Sequence, residues 1–335
     1  MKNGPVRFEF FLNKVETLLQ QAAKENNPAL WLYTNDVRTP LFMLEALSRL
    51  YAKIHNKKKF TKLKEYFKLL EDGMGAVDYY DNYAKIFLTH ASVPVHIREY
   101  MQAQAREKIQ HINDVLVSNG WIGEIPVRIK KMKQKLQEAD WLEAKDEAKA
   151  IKRFYENEIE EIKLFIKNTG AKFTEMETQV HELRRDLRWL SIYPQALQGM
   201  IQLTDSGAKE ISTEKYLVPE IVNSKYNMMP DAGSNEWFVM MDKNYFYALS
   251  WMIAETGKLK DEGLQFFVIA EALQQTEGMR AEDANNKSFE ILGADKDSIE
   301  KILNRASSIS KQFMQEENLD KMIYGVAQIK KARAE

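Results

Sequence analysis

The chain of 335 residues contains no cysteine. Disulfides, thiolate metal sites and cysteine nucleophiles are excluded, although the absence does not fix the compartment. Glycine and proline are scarce, at 14 and 8 residues, and many of them sit where helices should start or stop. An excess of either charge is missing too. The 48 basic side chains meet 49 acidic ones, a formal net charge of −1. That balance argues against a surface that coats nucleic acid all over, and confines any polyanion site to a local patch. No apolar run approaches the roughly 18 residues needed to span a bilayer. The stretch from Met1 to Glu16 has only a short apolar segment, Phe8 to Leu12, and no small-residue cleavage pattern. The expectation is a soluble cytoplasmic protein with no membrane partner. At 44% hydrophobic residues there is ample material for a core in one large or two small domains.

What is present is helical periodicity. Phe11, Val15, Leu18 and Leu19 form one apolar stripe, Leu63, Phe67 and Leu70 another, and Ile151, Phe154, Ile159, Ile162 and Phe165 a third. Asn27-Pro28 has the form of an N-cap followed by proline at the first helical position. Ser118-Asn119-Gly120 and Asn168-Thr169-Gly170 have the form of helix ends. No convincing run of alternating strands occurs, so the expected fold is all-α. Ser206 to Lys243 is polar, contains Pro219 and Pro230, and has weak periodicity. It reads as a long insertion, 206–243.

One helix concentrates charge. Val180 to Leu190 reads VHELRRDLRWL, and Thr174 with Glu177 ahead of it has capping-box spacing. Pro194 should kink or end this helix. At 100° per residue, His181, Arg184, Arg185 and Arg188 share about a 100° sector. Val180, Leu183, Leu187 and Leu190 face the opposite way, toward a core. Only Glu177 lies near the cationic sector. Guanidinium groups offer planar donor pairs that match phosphate oxygens, and an imidazole beside them can donate as well. The plain alternative is a solvated face whose arginines pair with carboxylates of a neighbouring helix.

The order of these residues, with His181, Arg184 and Arg188 at i, i+3 and i+7, resembles the signature helix of the CHAD family, the conserved histidine α-helical domain. The resemblance implies one domain of two related helical-bundle halves, with a basic central cleft that binds inorganic polyphosphate. A repeat should then be visible. Tyr33 to Tyr51, YTNDVRTPLFMLEALSRLY, is the best counterpart in the first half. Aligning Arg38 with Arg184 sets Asn35 opposite His181 and Phe42 opposite Arg188. A second family feature, a small-residue turn followed by a basic residue and Asp, looks like Gly257, Lys260 and Asp261 in one half. In the other it looks like Gly75 and Asp78, with Val77 where the basic residue is expected. Asn35 and Asp78 are 43 positions apart and His181 and Asp261 are 80 apart; the excess of 37 is about the length of the insertion. The halves are expected at 1–170, carrying a degenerate motif, and 171–335, carrying His181, Arg184 and Arg188.

Other features are weaker. Lys130 and Lys131, in VRIKKMKQK, would extend a phosphate-binding wall or form an ordinary solvated helix face, with Ile129, Met132 and Leu136 as its apolar edge. Lys57-Lys58-Lys59 reads as a solvated loop. The remaining histidines, His55, His90, His96 and His111, form neither a Glu-x-x-His pairing nor a His-Glu-x-x-His zinc motif. No phosphate loop and no nucleophile elbow occur. Trp237, Phe238, Tyr245, Phe246, Tyr247 and Trp251 read as core that re-anchors the chain after the insertion. A phosphohydrolase would lack both a metal-ligand cluster and a nucleophile.

The expected function is therefore non-enzymatic and needs no cofactor or metal. It is binding of inorganic polyphosphate, or another phosphate-rich polyanion, by His181, Arg184, Arg185 and Arg188, with Arg38, Lys260, Lys130 and Lys131 contributing. No sequence-specific nucleic-acid partner is expected. The alternative is a helical scaffold for a protein partner that has lost polyphosphate binding.

Overall fold

Helix boundaries fall where short polar side chains can take up orphan backbone groups. Asn27 caps its helix by accepting from the Leu30 amide at 3.1 Å, and Asn56 caps the next long helix by accepting from Lys59 at 2.9 Å. Gly120 and Gly170 adopt positive φ, 67° and 63°, just past helix ends at Ser118 and Asn168. These ends match the sequence reading. The computed structural model describes residues 2–123, 126–170, 172–205, 211–295 and 297–328.

Among the described residues there are twelve α-helices, and the fold is predominantly all-α. In chain order they are α1 (Gly4–Ala22), α2 (Pro28–Thr34), α3 (Arg38–Ile54), α4 (Lys57–Thr89), α5 (Val95–Ser118), α6 (Arg128–Gln137) and α7 (Ala144–Asn168). After a π-helical turn, Met176–His181, come α8 (Glu182–Ala196), α9 (Pro219–Val222), α10 (Lys243–Glu277), α11 (Ala281–Leu292) and α12 (Ser298–Gln315). The 33-residue α4 and 35-residue α10 are the long struts. α3 packs against both α4 and α8, and α8 in turn packs on α10. One apolar cluster runs through the molecule from Phe8 in α1 to Met322 before the last strand.

A small sheet was not expected. β1 (Ile201–Thr204), β2 (Trp237–Asp242) and β3 (Ile323–Gln328) form a three-stranded sheet in that order, β1–β2 parallel and β2–β3 antiparallel. β2 packs on α7 and buries both faces along much of its length, so it shows no alternation to read. The expected insertion, 206–243, thus holds β2, α9 and two 3₁₀ turns; residues 206–210 lie outside the described residues. Asp242 closes β2 and at once caps α10, its Oδ1 accepting from Asn244 and Tyr245 at 2.9 and 3.2 Å. The strand feeds the helix with no loop between. Phe238, Tyr245, Phe246 and Tyr247 are buried and Trp237 and Trp251 half-buried, in keeping with the core reading of this segment.

One detail of the basic helix also differs from expectation. Thr174 and Glu177 do not form a capping box. The Gln179 side chain accepts instead from the Thr174 and Glu175 amides at 2.6 and 3.1 Å, and the chain enters through the π-turn. Pro194 lies within α8 and does not end it at once. Its missing N–H frees the Leu190 carbonyl, which the buried Tyr155 hydroxyl meets at 3.3 Å.

Candidate functional site: an arginine-lined cleft

α3, α4 and α8 enclose a cleft of about 240 Å³. From α8 and the π-turn come His181, Arg184, Arg185 and Arg188, the stripe singled out in the sequence. From α3 come Arg38, Phe42, Glu45 and Arg49, at i, i+4, i+7 and i+11 of one helix face. α4 supplies Lys68, Glu71 and Asp72, and Trp189 and Ile192 complete an apolar wall. Six ammonium or guanidinium groups and one imidazole thus face three carboxylates.

The cations are not equivalent. Arg38 is held by Glu71 at 2.8 Å and Asp78 at 2.7 Å. Arg185 pairs with Glu182 on the exposed side of α8. His181 Nδ1 meets Glu177 Oε2 at 2.9 Å, and this hydrogen bond, ahead of all else, holds the Glu177 carboxyl below its ordinary range. Arg184 and Arg188 differ. Neither forms an ion pair with any described residue, and Arg184 Nε is buried without a hydrogen-bond partner. Burial lowers the proton affinity of both guanidinium groups; for Arg188 the neighbouring Arg184 and Arg38 act in the same direction. Asp261 opposes the shift at Arg184 from a distance.

Two arginines of the cleft each lie across a helical glycine. A Cβ added at Gly75 of α4 would stand 2.8 Å from Arg38 Nη2, and one at Gly257 of α10 would stand 2.9 Å from Arg184 Nε. Glycine inside a helix costs about 1 kcal/mol relative to alanine. Here it makes room for the arginine. Phe42, aligned with Arg188 in the sequence, faces it in space: the Arg188 guanidinium lies 4.6 Å from the ring centroid and that of Arg38 5.1 Å.

The carboxylates of the cleft are perturbed as well. Glu45 is only 1% exposed, its Oε2 has no hydrogen-bond partner among the described residues, and Arg49 stands 3.8 Å from its Oε1. Burial, reinforced by Glu71, pushes the Glu45 carboxyl up to about 7. Burial also raises Glu71 despite its contact with Arg38.

Three predicted contacts are not among the residues lining the cleft. Lys260 pairs with its neighbour Asp261 at 2.7 Å, on the Glu177 side of α8. Lys130 and Lys131 are exposed on α6, which packs on α1 through Ile129, Met132 and Leu136. Asn35, opposite His181 in the alignment, caps the end of α2 and donates to the Trp31 carbonyl at 2.8 Å. Conversely, Arg49, Lys68, Glu45 and Glu71 line the cleft without having been singled out. The i, i+4, i+7, i+11 spacing from Arg38 was the available signal for Glu45 and Arg49.

Among the described residues no group of three or more His, Asp or Glu side chains is placed to hold a metal ion. No described helix is long and apolar enough to cross a membrane. No protein-family model matches the chain, and no curated protein matches it either.

Proposed function

We propose that this cleft binds a phosphate-rich polyanion, with inorganic polyphosphate as the ligand, and that the protein acts by binding rather than by catalysis. One observation carries the reading: Arg184 and Arg188 face the same cleft, largely desolvated, and neither forms an ion pair with a described carboxylate, Asp261 and Glu71 acting on them only from a distance. A desolvated, unpaired guanidinium is costly, and an anion that supplies paired oxygens removes the cost. Arg38, His181 and Arg185 would join by exchanging their present carboxylate partners for phosphate. Lys260, Lys130 and Lys131 are not among the residues lining the cleft and are not counted as primary contacts.

The resemblance to the CHAD family points the same way. A two-half organisation, with halves at 1–170 and 171–335, is supported by the matching placement of Arg38 over Gly75 and Arg184 over Gly257. A cytoplasmic setting belongs to the same proposal.

A second reading, a helical scaffold for a protein partner, draws on the pairing of Arg38, Arg185 and His181 with carboxylates of their own chain. Titration with labelled long-chain polyphosphate at two salt concentrations separates the two. The first requires salt-sensitive binding that disappears in His181→Ala/Arg184→Ala/Arg188→Ala, with no orthophosphate released. Absence of binding at low salt would favour the scaffold.

A further inference from the structure

Glu45 is an anomaly for an anion site. It is a carboxyl group on the wall of a cleft rich in cations, all but fully buried, with one oxygen lacking a hydrogen-bond partner among the described residues. The cations beside it do not neutralise it closely. Arg49, one turn along α3, is 3.8 Å away and its guanidinium lies over the Trp189 ring at 4.5 Å. Lys68 is engaged with Asp72 at 2.7 Å and Arg38 with Glu71 and Asp78. A buried oxygen left unsatisfied in this way calls for a partner that enters the cleft.

As an anion, Glu45 would repel phosphate. As a neutral acid it has a proton to donate, and a phosphate oxygen is the acceptor that fits. The surroundings favour the neutral form. α4 presents Glu71 and Asp72 with Lys68; α8 presents Arg185, Arg188, Asp186 and the buried Tyr193 hydroxyl; α7 contributes Glu158 beside Arg49; α3 itself adds Arg38 and Arg49. Burial is the largest influence and Glu71 the next, and together they bring Glu45 to half-protonation near neutral pH.

Resting on the reading of the cleft as a polyanion site, we propose that Glu45 is a specificity-determining residue that binds phosphate only as its neutral acid, donating a hydrogen bond to an oxygen held by the arginines. Each occupied cleft then takes up one proton when Glu45 starts ionised. The bound species is the fully ionised interior of a phosphate chain plus a proton, and the site discriminates in favour of strong acceptor oxyanions that lack a donor of their own.

Calorimetric titration with long-chain polyphosphate tests this, because the interior phosphates of such a chain stay ionised throughout the range used. Wild type, Glu45→Gln and His181→Ala are compared at pH 6 and pH 8.5, each in two buffers of different ionisation enthalpy. The His181 variant is needed because an imidazole beside an anion also takes up a proton. In wild type and His181→Ala, affinity should fall at least tenfold from pH 6 to pH 8.5, with close to one proton taken up at pH 8.5. Glu45→Gln should bind at both pH values with most of that slope and that proton uptake gone. Equal slopes and equal proton uptake in wild type and Glu45→Gln would overturn the proposal while leaving polyanion binding intact. Failure of wild type to bind at either pH would overturn both.

Discussion

Arg184 and Arg188 are the residues at which electrostatics and packing disagree most. A structural arginine in a helical protein ends on a carboxylate, as Arg38 does on Glu71 and Asp78. Replacing an unpaired, desolvated cation by an apolar side chain of similar length should cost no stability. Arg184→Met/Arg188→Met is therefore expected to be neutral or stabilising by up to about 4 kcal/mol in urea unfolding without ligand, while polyphosphate binding is lost. Each well-placed contact contributes on the order of 1.5–3 kcal/mol to binding. Glu45 gives a pH-dependent prediction. Its folded value near 7 lies above the ordinary 4.5, so the native state holds this proton more tightly than the unfolded chain does. Below about pH 4.5 both states are protonated and no penalty exists; as pH rises toward 7 the unfolded chain ionises first and native stability falls; above 7 the penalty is constant. Glu45→Gln should thus be more stable than wild type at pH 8, by on the order of 3 kcal/mol, with the difference shrinking toward pH 4. Denaturant midpoints across that range measure it.

At the scale of elements, the glycine beneath each arginine decides how closely two helices approach. Gly257→Ala puts a methyl group 2.9 Å from Arg184 Nε, an atom in the middle of the side chain that cannot simply swing aside. Overpacking should cost about 1–3 kcal/mol. In an Arg184→Ala background the same change should turn stabilising by up to about 1 kcal/mol, because only the helix propensity of alanine remains. A thermodynamic cycle over the four proteins checks the sign change. The helices themselves were legible because their apolar residues recur at helical spacing and their ends carry Asn27, Gly120 and Gly170. β2 was not. It is six residues long, buried on both faces, and its partners come from far away in the chain. The Thr174–Glu177 spacing misled because the Gln179 side chain took the Thr174 amide that Glu177 would have reached, and Glu177 was drawn to His181. In the site, the α8 face could be read from one helix alone. Charge alone could not tell that α6 packs on α1 and leaves Lys130 and Lys131 on its exposed face, while α4 carries Lys68 into the cleft.

Over the whole molecule, a buried polar knot ties distant segments together. Arg7 of α1 donates to Glu147 of α7 at 2.9 Å and to the Tyr51 hydroxyl of α3 at 2.8 Å, and Tyr51 donates to Glu147 at 2.5 Å. Arg7 also reaches Asn235, ahead of β2, at 3.3 Å. All three members of the triad are at most 3% exposed. Removing one partner leaves an uncompensated buried charge, so Glu147→Ala should destabilise by about 3–5 kcal/mol. Since one apolar core runs from Phe8 to Met322, the loss should appear as a shift of the whole unfolding transition. Coincident circular dichroism and tryptophan fluorescence curves would show this, and two separated transitions would contradict it.

The pairing of α3 with α8 has a consequence for how the molecule is made. A ribosome releases α3 and α4 on the order of ten seconds before α8 at typical synthesis rates. During that interval Phe42 has emerged, while Trp189 of α8, whose ring packs against it, is still being translated. The nascent chain therefore carries Phe42, Arg38 and Arg49 of α3 uncovered on this side until α8 arrives.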